Sequence, residues 1–116
     1  MKSYTDLEQS RKLAKILPLE SADMRYHTIS QYNPYPCDEI VYTIDFNKPS
    51  GIDIPCWSLA ALLEVLPKIV KHETLFIETS ASLWHIGYRN IYIAREDNLF
   101  DACVELIIKL KEQNLI

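Results

Sequence analysis

The hydrophobic and polar positions of this chain change period several times. Thr5-Asp6-Leu7-Glu8 has the form of a capping box, with the Thr5 hydroxyl meeting the Glu8 amide and the Glu8 carboxylate reaching back. Apolar Leu7, Leu13, Ala14, Ile16 and Leu17 follow at helical spacing, predicting a first helix over about residues 5–17. Pro18 ends it, because proline cannot continue a helix without losing a backbone hydrogen bond. Met24 to Ser30 mixes strand-favouring Tyr26, Thr28 and Ile29 with imperfect alternation. Glu39 to Phe46 is a cleaner strand, with Ile40, Tyr42, Ile44 and Phe46 on one face by period two.

From Pro55 the period returns to that of a helix. Trp57, Leu59, Leu62, Leu63 and Leu66 form a broad apolar face, with Pro55 suited to the first turn and Pro67 to the end. Three apolar, aromatic segments, Thr74–Thr79, Ser82–Tyr88 and Ile91–Arg95, then follow with short connections and predict a β-meander. The last helix is the clearest element. Asp97 or Asn98 caps it, Leu99, Cys103, Leu106, Ile107 and Leu110 repeat on its apolar side, and Asp101, Glu105, Lys109 and Glu112 take the wet side. Glu105 and Lys109 stand four apart in the favourable order for an ion pair. The element order predicts an α+β fold over residues 1–116 as a single domain: an antiparallel sheet of three to five strands with about three helices packed mainly on one face. Its core is expected from the helices through Leu62 and Ile107 against Ile40, Ile44, Phe76, Trp84, Ile86 and Tyr92.

Composition supports a packed globule, since 48% of the 116 residues are hydrophobic and 10% aromatic. The net charge of −4 is spread evenly, with eight acids and six bases in residues 1–58 and the same numbers in residues 59–116. No basic face is available for phosphate contacts, so nucleic-acid binding is not expected. The opening Met1-Lys2-Ser3-Tyr4-Thr5-Asp6 lacks the apolar centre of a signal peptide, and the longest apolar stretch, Ile54 to Val70, is interrupted by Ser58, Glu64, Pro67 and Lys68. Cys37, Cys56 and Cys103 are odd in number and widely spaced, which suits a reducing compartment. A cytoplasmic location without membrane contact follows as the expectation.

Few residues offer chemistry. With only Gly51 and Gly87, no glycine-rich loop can cradle a phosphate. No two of His27, His72, His85 and the cysteines are close enough for a paired metal-ligand motif, and the acids show no paired-carboxylate signature. No cofactor and no metal are therefore expected. Cys56 is the sharpest catalytic candidate, because a thiol in the first turn of a helix is biased towards thiolate, and His85 is the one base named for it. The competing reading is that an isolated cysteine is a small buried hydrophobe. Tyr26, Tyr32, Tyr35 and Trp57 bracket turn-rich segments and are the candidate contact aromatics, with Tyr32, Tyr35 and Trp57 taken as binding residues. The terminal Leu115-Ile116 is either docked on the domain or buried in a homodimer.

Two segments, Ile54-Pro55-Cys56-Trp57-Ser58-Leu59-Ala60-Ala61-Leu62-Leu63 and Asp101-Ala102-Cys103-Val104-Glu105-Leu106-Ile107-Ile108-Lys109-Leu110, resemble small uncharacterised proteins of gut Bacteroides genomes and their prophages. In that group a Pro-x-Trp-Ser-Leu-x-x-Leu-Leu helix precedes a Tyr- and Trp-containing β region, and an Asp-Ala-Cys helix ends the chain. The resemblance implies a bacterial or mobile-element source and brings no activity and no site residues. The expectation is a small non-enzymatic interaction or accessory protein with a protein partner or a second copy; the alternative is a thiol-based enzyme or redox sensor using Cys56.

Overall fold

The computed structural model describes residues 4–26, 41–43 and 54–116, and its elements are those of an α+β protein. The chain divides into two compact units, Ser3–Ala61 and Leu62–Ile116.

In the first unit, α1 runs over Leu7–Ala14 and a 3-10 turn over Leu19–Ser21. β1 (Met24–Tyr26) is the centre of a three-stranded antiparallel sheet, flanked by β2 (Val41–Thr43) and β3 (Ile54–Cys56). The cap of α1 lies one residue later than the sequence suggested. Asp6 Oδ1 accepts from the Gln9 N–H at 2.8 Å and Gln9 Oε1 accepts from the Asp6 N–H at 3.1 Å, completing the capping box. Thr5 is unavailable for that role because its hydroxyl accepts the Trp57 N–H at 3.0 Å.

The helix expected from Pro55 also begins later. Ile54–Cys56 is a strand, with Pro55 opposite Arg25, and an edge strand tolerates a residue that lacks an N–H. The helix that follows, α2 (Leu59–Val65), starts after Ser58, whose hydroxyl accepts from the Ala61 N–H at 3.2 Å, and it ends before Pro67 as expected. Leu13, Cys56 and Trp57 are fully buried in this unit, with Ala22 and Tyr26 nearly so. The expected strand positions Ile40, Ile44 and Phe46 lie outside the described residues.

The second unit holds the expected meander. β6 (Phe76–Ser80), β7 (Leu83–Tyr88) and β8 (Tyr92–Glu96) form one antiparallel sheet in that order, and a short hairpin, β4 (Ile69–Val70) with β5 (Glu73–Thr74), precedes it. The described strands are thus shared among three small antiparallel sheets rather than gathered into one.

α3 (Leu99–Glu112) packs on β7 and β8. Asn98 caps it, accepting from the Asp101 N–H at 2.8 Å. Its apolar side buries Phe100, Cys103, Leu106, Ile107 and Leu110 completely, with Leu99 almost so; Ile86 and Ala94 are buried from the sheet. Phe76, Trp84 and Tyr92, expected in the core, are only half-buried. At the far end Asn114 takes a positive φ of 55°, which lets the Leu115 N–H return to the Leu110 carbonyl at 2.9 Å. Gly87 allows β7 and β8 to approach closely, since a Cβ there would stand 2.1 Å from the Tyr92 carbonyl oxygen and 2.7 Å from Ile93 Cα.

Candidate functional site

The residues expected to carry function fall in different places. Tyr32 and Tyr35 lie outside the described residues. Trp57 is fully buried, which corrects its assignment as a contact residue; its indole N–H donates to Ser21 Oγ at 3.0 Å. Tyr26, also read as a surface aromatic, is 3% exposed, with its hydroxyl donating to the Thr5 carbonyl at 2.8 Å. Both rings belong to a network that fixes the first unit. Ser58 donates its N–H to Asp23 Oδ1 at 2.9 Å and its hydroxyl to Asp23 Oδ2, while the Ser10 and Thr5 hydroxyls meet at 2.7 Å. A buried N–H or hydroxyl without a partner is costly, and this arrangement meets that requirement.

Cys56 ends a strand rather than opening a helix, so the helix-terminus activation expected for it does not arise. Burial pushes its thiol up to about 12, with the nearby Asp23 carboxylate adding to the shift. Cys103 is pushed up to about 12 by burial alone. Neither environment favours thiolate. His85 lies in the other unit, on β7 between Glu78 and Arg95 of the neighbouring strands, with Nε2 3.3 Å from the Ser80 carbonyl oxygen. No histidine is among the described residues of the unit that holds Cys56.

The structure brings together acids that sequence spacing did not pair. On β8, Tyr92, Ala94 and Glu96 alternate onto the face that receives α3, and Ala94 between them is fully buried. From α3, Glu105 accepts the Tyr92 hydroxyl on Oε1 at 2.5 Å, and its carboxylate lies near enough to Glu96 to act on that group's affinity for a proton. The hydrogen bond that a protonated Glu96 can make to Glu105 raises the Glu96 pKa, and desolvation and the carboxylates of Glu105, Asp101 and Asp97 add to the rise. Tyr92 is pushed up to about 12, chiefly by its bond to Glu105. Lys109, expected to pair with Glu105, instead has its ammonium 5.5 Å above the Tyr92 ring and 3.8 Å from Glu112. Among the described residues no group of three or more acids, histidines and cysteines has the geometry to hold a metal ion.

The second feature missed in the sequence is an open strand edge. β6 pairs only with β7 among the described residues, and its Ile77 stands directly opposite Ile86. Opposed residues share a face. On that face Ile86 is fully buried, whereas Ile77 is 43% exposed because α3 packs on β7 and β8. Ile69, in the preceding hairpin, is 63% exposed. One open depression of about 430 Å³ is lined by Tyr4, Asp6, Leu7, Glu8 and Tyr26. No described helix is long and apolar enough to cross a membrane.

Comparison with protein-family models, curated proteins and solved structures returns no match for this chain.

Proposed function

We propose that this is a small non-enzymatic interaction protein that binds another protein along the open edge of β6. The observation that carries this reading is Ile77, exposed on a five-residue strand whose outer edge has no strand partner among the described residues. An extended segment added there would gain main-chain hydrogen bonds from the edge and apolar contact from Ile77. A different protein fits this edge better than a second copy. Antiparallel self-pairing about the middle of β6 would place Glu78 against its own symmetry mate, and like charges directly opposite destabilise a sheet.

The raised thiol of Cys56 supports binding over thiol chemistry, and the net charge of −4 supports a protein partner over nucleic acid. The resemblance to small proteins of gut Bacteroides genomes and prophages supports an accessory role in a bacterial cytoplasm, for the host or a mobile element. The test is capture from cognate lysate with wild type and Ile77→Lys, which places a charge at an already exposed position. A protein retained by wild type and lost with a still-folded Ile77→Lys supports the reading. Equal retention by both removes β6 as the contact.

A further inference from the structure

We propose that Glu96 and Glu105 share one proton across the seam between β8 and α3, and that this proton latches the helix to the sheet more firmly in mild acid than at neutral pH. The geometry is specific. Glu105 Oε1 is occupied by the Tyr92 hydroxyl, while Oε2 is sealed from solvent and meets no conventional donor from the described residues. A buried carboxylate oxygen in that position is costly unless a donor reaches it. Glu96, two residues beyond Ala94 on the same face of β8, supplies one only when its own carboxyl carries a proton.

The surrounding groups do not replace that proton. From β8 and the turn after it come Tyr92, which already donates to Glu105, Arg95 on the opposite face of the strand, and Asp97. From α3 come Asp101, Lys109 and Glu112, and the Lys109 ammonium is placed over the Tyr92 ring and near Glu112. From β7, Trp84 is opposite Glu96 and does not ionise. Tyr88, opposite Tyr92, donates its hydroxyl to the Pro67 carbonyl at 2.5 Å.

The sign follows from linkage. A carboxyl whose affinity for its proton is higher in the folded than in the unfolded chain contributes stability that is fully present below the unfolded pKa. That contribution is lost as pH rises through the folded one. The experiment titrates the glutamate side-chain carboxyls of the full chain by carbon-13 NMR and follows unfolding by denaturant between about pH 5 and pH 8. Glu96 is expected to titrate above the ordinary glutamate value of about 4.3, and to fall below its wild-type value in Glu105→Gln. Glu96→Gln, whose amide donates at any pH, is expected to lose the part of the pH dependence that wild type shows over this range. Histidines contribute equally to wild type and variant, so the difference between them isolates the pair. An ordinary or lowered Glu96 titration in wild type, or a Glu96→Gln curve parallel to wild type, overturns the latch.

Discussion

Thr5 and Trp57, fifty-two positions apart, hold each other by a reciprocal pair of hydrogen bonds. The Thr5 N–H donates to the Trp57 carbonyl at 2.9 Å, and the Trp57 N–H donates to Thr5 Oγ1 at 3.0 Å. The approach to α1 is thereby joined to the end of β3. Thr5→Val keeps the shape but strands the buried Trp57 N–H and takes a partner from the Ser10 hydroxyl. It should cost about 1–3 kcal/mol in chemical denaturation, whereas Thr5→Ser should recover most of the loss. Equal stability of the valine and serine variants would show that the side-chain bond is unimportant.

The buried thiols of Cys56 and Cys103 and the phenols of Tyr88 and Tyr92 should be silent until strongly alkaline pH. Cys56 and Cys103 are each pushed up to about 12, so neither should react with a disulfide reagent at mildly alkaline pH until the chain is unfolded. Tyr88 and Tyr92 are likewise pushed up to about 12. Their raised values stabilise the fold below the ordinary tyrosine pKa of about 10, and that contribution disappears as pH rises through about 12. Ultraviolet titration alongside circular dichroism should show the ionisation of Tyr88 and Tyr92 coinciding with unfolding. Rapid labelling of native Cys56 would contradict its burial.

The β6–β7 hairpin turns through Ala81 and Ser82 with φ of 52° and 65°, a conformation that asparagine and glycine adopt more cheaply. Replacing the pair by Asn-Gly should stabilise the protein by about 0.5–2 kcal/mol, read as a raised melting midpoint. A lowered midpoint would mean that the turn is not of this type.

Leu106 is fully buried on α3. Leu106→Asp would put an unpaired carboxylate into the apolar seam at a cost of several kcal/mol, and the variant should be unfolded by circular dichroism. A cooperative melt near that of wild type would refute the assignment of the core.

These cases show which parts of the molecule were legible in the sequence. The meander and α3 follow from local pattern, because Asn98 is a good cap and the apolar positions from Leu99 to Leu110 keep one period. The start of α2 did not, since Pro55 suits either a helix start or an edge strand and only pairing with β1 distinguishes them. Thr5 and Asp6 are both good caps, and the choice between them was made by Trp57, far along the chain. The two-residue hairpin turns lacked the usual glycine signal, because Lys71-His72 and Ala81-Ser82 adopt positive φ without it. Glu96 and Glu105 were unreadable as a pair, since only the packing of α3 on β8 brings carboxyls nine positions apart together. Trp57 was misread because an aromatic beside turns is as compatible with a core anchor as with a contact surface.

The most direct test of the binding account is amide hydrogen exchange across the whole chain, with and without the protein captured from cognate lysate. The account predicts new protection concentrated in Phe76–Ser80, where the outer edge of β6 becomes hydrogen-bonded, with little change in α3. Protection confined to other segments, or none in β6, would contradict it.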